Sequence, residues 1–108
     1  MAVEIKSMGE VLTAYLSGEI DHHSAAFIRG EIDSEIELNM PSMVILDFSG
    51  VSFMDSSGIG LIMGRYKVIS KMGGKLHVSG VTPQNYKVMK LAGLERLSVL
   101  DETSVMKG

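Results

Sequence analysis

Residues 51–63 constrain the fold of this chain more than any other stretch. Val51-Ser52-Phe53-Met54 reads as the end of an apolar strand, Asp55-Ser56-Ser57-Gly58 holds the residue types of a tight turn, and Ile59, Leu61, Ile62 and Met63 open a helix at once. The N–H groups at that helix start point out of the turn and carry partial positive charge. The two hydroxyls therefore sit where an anion is favoured. This is the chain's strongest candidate for chemistry.

The remaining periodicity supplies the layers around it. Residues 3–8 and 11–17 are β-prone runs separated by Gly9-Glu10, with Leu12, Ala14 and Leu16 alternating against Val11, Thr13 and Tyr15, so a hairpin opens the chain. Gly18-Glu19-Ile20-Asp21-His22-His23-Ser24 breaks the alternation. Ala25, Ile28, Ile32 and Ile36 then recur at helical spacing, predicting a helix over 24–38 capped by Asp21 or Ser24 and ended near Pro41.

Residues 43–48 are apolar and β-branched with no polar alternation before Asp47, the habit of a strand covered on both faces. A helix is predicted over 57–72, with Ile59, Ile62, Met63, Tyr66 and Ile69 on one face and Gly73-Gly74 placed for a left-handed cap. Residues 76–79 read as a short strand. Thr82-Pro83 starts a helix that Tyr86, Met89, Leu91 and Ala92 carry to Gly93; residues 97–100 read as a last strand and the tail from Asp101 as a short helix. Strands alternating with helices after a hairpin give a single small α/β domain over 1–108, with a mixed sheet covered by helices.

Composition excludes several function classes. The 108 residues carry a net charge of −3 with scattered basic residues, against a nucleic-acid partner, and few aromatic residues to stack on bases. No cysteine is present, which removes disulfides, thiolate zinc sites and a cysteine nucleophile. The amino terminus lacks a basic start followed by an apolar run, and no apolar stretch is long enough to span a bilayer, so a soluble cytoplasmic protein without a membrane partner is expected. The nine methionines suit core filling.

Enzymatic sites find little support. Met54-Asp55-Ser56-Ser57-Gly58 has Met where a nucleophile elbow needs its first glycine, and only His22, His23 and His77 could serve as bases. His22-His23 makes a poor metal pair, because adjacent residues point apart and no third ligand joins them; solvated loop histidines are the better reading. Gly58-Ile59-Gly60 with Gly64 follows a strand as a dinucleotide loop would, yet no acidic residue lies about twenty positions on to hold a ribose. A plainer account has Gly58 and Gly60 keeping side chains off the turn and Gly64 letting the helix lie close to the sheet. The plain role of Ser56 and Ser57 is helix capping, contributing about 1 kcal/mol. Capping is compatible with modification, since a phosphate adds roughly two negative charges at a helix end that tolerates them.

Together, Gly18-Glu19-Ile20-Asp21-His22-His23 and the run from Phe53-Met54-Asp55-Ser56-Ser57-Gly58 to Arg65-Tyr66-Lys67 resemble the STAS-domain anti-sigma factor antagonists, most closely those of sporulation type. The resemblance covers nearly the whole chain and implies a switch. In that family the unmodified protein binds a partner that is both anti-sigma factor and serine kinase, freeing the sigma factor to join RNA polymerase. The kinase uses ATP to phosphorylate one serine, the modified form loses affinity, and a PP2C-type phosphatase restores it.

By the same resemblance the acceptor falls on Ser56, Asp21 matches an acidic residue near it that contacts the kinase, and Asp55, Ser57 and Gly58 complete the acceptor turn. Asp21, His22, His23, Asp55, Ser56, Ser57 and Gly58 are thus the expected partner-binding residues of a free monomer that holds no cofactor of its own. The resemblance departs at the carboxyl end, which is short and ends in Lys107-Gly108, so it does not carry over the contacts of a longer terminal helix. Two other readings are a STAS module of another signalling or stress-response complex, which the Asp-His-His segment disfavours, and a STAS domain that itself binds nucleotide at the turn.

Overall fold

The structure, a computed structural model, describes residues 2–106; Met1 and the Lys107-Gly108 tail lie outside them. The chain runs β1 (Ala2–Met8), β2 (Val11–Ile20), α1 (His22–Asn39), β3 (Met43–Met54), α2 (Ser56–Lys71), β4 (Lys75–Ser79) and α3 (Pro83–Leu91), then two 3-10 turns at Leu94–Leu97 and Glu102–Ser104. The strands lie in the order β1-β2-β3-β4. β1 is antiparallel to β2, and β2, β3 and β4 are mutually parallel, so the mixed sheet opened by a hairpin is present as the pattern requires.

Strand register puts the apolar positions in rows. Leu12, Val44 and Leu76 align across β2, β3 and β4, and Ile5, Ala14, Leu46 and Val78 align across all four strands. Side chains alternate across a strand, so this register turns one face of the sheet into the core. Ile28, Ile32 and Ile36 of α1 and Leu61, Ile62 and Ile69 of α2 close over it with Phe48. Each such large side chain contributes about 1.5–3 kcal/mol when fully buried.

The opposite face is not covered. Met8 and Tyr15 are exposed there, and Met43, Ile45 and His77 are only half-buried. The unbroken apolar run at 43–48 therefore belongs to a strand buried on one side, contrary to the two-sided burial expected from it: the paired helices fill a single face.

One boundary and two buried faces also differ from expectation. α1 begins two residues early, because Asp21 ends β2 and caps the helix directly. On α2 the fully buried side chains are Leu61, Ile62, Arg65 and Ile69, while Ile59, Met63 and Tyr66 are half-buried, a rotation of the expected face toward α1. On α3 Thr82 caps and Pro83 opens the helix, but Leu91 is exposed and Asn85 and Met89 carry the burial.

The last expected strand does not form. Residues 94–97 wind into a 3-10 turn and Ser98 takes a left-handed φ of 61°, so only Val99 reaches β4, where its carbonyl accepts from Val78 N–H at 2.8 Å. The predicted terminal helix is the short turn at Glu102–Ser104, held by Asp101.

Candidate functional site

Two strand–aspartate–helix units lie side by side. Ile20 at the end of β2 pairs with Met54 at the end of β3, and Asp55 N–H donates to the Ile20 carbonyl at 3.2 Å. Because these strands are parallel, α1 and α2 start from the same edge of the sheet. The Asp21 and Asp55 turns, far apart in sequence, are thereby brought together.

The register slips between Tyr15 and Ser17 and again between Gly18 and Glu19, so burial along β3 passes from every second residue to Val51 and Met54. Gly50 sits at this irregularity, where a Cβ would lie 2.9 Å from the Leu16 carbonyl oxygen. The slip also leaves Phe53 half out in solvent, at 53% exposure, one residue from the end of β3. Sequence reasoning placed no role on Phe53. Its signal was an aromatic residue out of phase with the buried positions of its own strand.

At the start of α1, Asp21 Oδ1 accepts from His23 N–H at 3.0 Å and Ser24 N–H at 2.9 Å, while Ser24 Oγ accepts from Asp21 N–H at 2.9 Å. This closed capping box satisfies donors in both directions. The Ser24 N–H bond is the main cause that holds the Asp21 carboxyl below its ordinary range. His22 and His23 are helical residues rather than loop residues. Their rings stack, with centroids 4.6 Å apart, and both are exposed. Among the described residues no group of His, Asp and Glu is placed to hold a metal.

At the start of α2 the cap is Asp55, whose Oδ1 accepts from Ser57 N–H at 2.8 Å. Neither serine is the cap, which corrects the plain role assigned to them. Ser56 is the first residue of the helix, exposed, and its hydroxyl makes no hydrogen bond to the described residues; Ser57 is half-buried. With no acidic residue in the first turn of α2, the positive end of this helix is offset only by Asp55.

Gly58 lies beneath the turn. It is buried, and a Cβ there would come 2.7 Å from Met54 Sδ, so it shapes the turn from inside rather than presenting a surface to a partner. Gly58, Gly60 and Gly64 all lie within α2, not in a phosphate-cradling loop before it. A Cβ on Gly60 or Gly64 would meet nothing within 4 Å, so neither turn clearance nor close approach to the sheet accounts for them.

The fold and this paired edge define a STAS domain: the family model for that domain matches residues 2–105, and the chain belongs to the family. Within it the chain is a homologue of the anti-sigma factor antagonists. It is 33% identical to the anti-sigma F factor antagonist of Paenibacillus polymyxa over 97% of this chain and 90% of that protein. The solved structure of the antagonist SpoIIAA in its unphosphorylated form covers 99% of this chain and 88% of its own at 29% identity, with a TM-score of 0.80. The phosphorylated form of the Bacillus SpoIIAA matches over 99% and 91% at 30% identity, with a TM-score of 0.73. Proteins of this kind are regulatory binding proteins rather than enzymes. No helix among the described residues is long and apolar enough to cross a membrane.

Proposed function

We propose that this chain is a phosphorylatable anti-sigma factor antagonist of the sporulation type, acting in the cytoplasm. In its unmodified form it binds an anti-sigma factor that is also a serine kinase, and the sigma factor is released to RNA polymerase. The kinase consumes ATP and transfers phosphate to Ser56. A PP2C-type phosphatase reverses the step, and the antagonist holds no cofactor.

The observation that carries this reading is the free Ser56 hydroxyl at the first position of α2. Asp55 already supplies the cap, so the Ser56 oxygen is exposed and unengaged, and its modification costs the helix no hydrogen bond. Phosphate at a helix start is electrostatically tolerated. The host fold therefore stays in place, in keeping with the chain's match to SpoIIAA in both phosphorylation states.

Loss of binding then arises at the partner's surface. Asp21, His22, His23 and Asp55 are exposed at the two helix starts with Ser57 half-buried, and Phe53, two residues before Asp55 in the chain, is a further exposed residue available to a partner. A dianion forced unpaired into such an interface costs about 2–5 kcal/mol, and each 1.4 kcal/mol is about tenfold in affinity.

The test is reconstitution with the sigma-binding kinase and ATP. Ser56→Ala is expected to bind the kinase and take up no phosphate, while Ser56→Asp binds at least tenfold more weakly. Phosphate mapped by mass spectrometry to another residue, or incorporated into Ser56→Ala, refutes the assignment.

A further inference from the structure

A cleft of about 320 Å³ lies between α1 and α2, lined in part by Ser57 of the Asp55 turn. Its floor is small: Gly60 and Gly64 on one side face two alanines, Ala25 and Ala26, on the other. Glycine inside a helix weakens it relative to alanine, and here neither glycine is demanded by packing, since a Cβ at either would enter open space. The helix is thinned where nothing in the chain needs the room.

The charge lining this space points to what fills it. Arg65 lines the cleft and is only 4% exposed. Its Nε lies 2.9 Å from Asp33 Oδ1, but without the alignment of a hydrogen bond, and among the described residues neither Nε nor Nη1 finds a hydrogen-bond partner. Burial is the strongest influence on this guanidinium and draws its pKa below the ordinary arginine value; Asp33 opposes that and Arg29 adds to it. Arg29, Ser57 and His22 also line the cleft.

A buried, under-bonded guanidinium is costly unless an acceptor arrives to satisfy it. Two arginines stand against the single Asp33, so these three groups together carry one net positive charge, which a monoanion balances and a dianion overshoots.

We propose that the α1–α2 cleft is a carboxylate-binding site, in which Arg65, supported by Arg29 and the Ser57 hydroxyl, receives one carboxylate group over the glycine floor. Arginine suits this role because its planar fork matches a carboxylate. The site does not depend on modification of Ser56, and its test uses the free unmodified protein.

Titration of labelled protein with acetate, and separately with a capped tripeptide bearing one glutamate, is followed by the Arg65 Nε–Hε signal and the Ser57 and Gly60 amides. Sodium chloride at matched ionic strength is the control. Saturable shifts at those positions, with half-saturation on the order of 10 mM, are expected. Equal response to both ligands identifies a free small acid, and response to the peptide alone identifies an acidic side chain of a docking protein.

Arg65→Met should abolish the shifts. Since removing this side chain also disturbs Asp33, Gly64→Leu is the second variant: it fills the cleft from a position with open space and should weaken binding at least tenfold while the remaining spectrum is retained. Shifts no larger than chloride produces, a stronger response to inorganic phosphate than to either carboxylate, or undiminished binding by Gly64→Leu overturn the proposal.

Discussion

The two helix starts at one edge of the sheet are built from the same plan and finished differently. Each follows a parallel strand and each is capped by an aspartate, but α1 has Ser24 at its third position and α2 has Gly58. Ser24 closes a box around Asp21; Gly58 cannot close one around Asp55, because the space a side chain would need is taken by Met54. The comparison teaches that the open end of α2 is imposed by packing beneath it. A closed start fixes its polar groups, and an open one leaves a serine hydroxyl for another molecule.

The sharpest way to break this comparison is to build the missing box. Gly58→Ser supplies the hydroxyl found at Ser24, yet its Cβ would lie 2.7 Å from Met54 Sδ and 3.1 Å from Met54 Cβ. The thioether can swing aside, but the Cβ is tied to β3. Overpacking of this kind costs about 1–3 kcal/mol, so the variant should unfold at lower urea concentration than the parent despite its better capping chemistry. An unchanged midpoint would show that Met54 yields freely and that packing is not what keeps α2 open.

A smaller effect separates the two aspartates. Asp21→Ala removes the acceptor of two N–H groups and half of a box, and should lower Tm by about 5 °C; Asp55→Ala removes one bond and should lower it by roughly half as much. The Asp21 contribution also has a pH signature. Its folded pKa is held below the ordinary 3.8, so the ionised carboxylate stabilises the fold above that pH, and the contribution fades as pH falls through the lowered folded value. Asp21→Asn keeps a capping oxygen without charge. Its urea midpoint should lie below the parent's at pH 5 and converge with it below pH 3.8; a gap that stays constant with pH would mean that the charge adds nothing to the cap.

Much of this arrangement is legible in residue pattern alone, because it is local. The alternation in β1 and β2, the isoleucines of α1, the Thr82-Pro83 start of α3 and the Asp21 cap each follow from a few adjacent residues. What escapes the pattern depends on tertiary neighbours. Asp55, Ser56 and Ser57 are all competent caps, and only backbone geometry selects Asp55 and leaves Ser56 free. The three glycines of α2 look alike in sequence, yet one is pressed on Met54 and two face a cleft. Arg65 lies off the apolar face that the spacing of Ile59, Ile62, Met63, Tyr66 and Ile69 defines, yet it is buried, with Asp33 of α1 against it. Residues 97–100 have strand composition, but the left-handed Ser98 turns the chain before a ladder can form.

The smallest effect tests whether the open character of α2 continues beyond its first turn. α1 has a single internal glycine, Gly30, whereas α2 has Gly58, Gly60 and Gly64. If Gly60 and Gly64 were needed for packing, replacing either with alanine would destabilise the fold by crowding. The structure leaves a Cβ at each without a neighbour inside 4 Å, so only the backbone term should operate. Alanine restricts the unfolded chain and favours the helix, and Gly64→Ala should therefore stabilise the protein by about 0.4–1 kcal/mol, read as a higher urea midpoint with an unchanged slope. A loss of stability would place a hidden contact over the cleft floor and return α2 to the same packing logic as α1. A gain shows that this helix holds less than its attainable stability along the face beside Ser56, where an open cleft is kept at the expense of the fold's own cohesion.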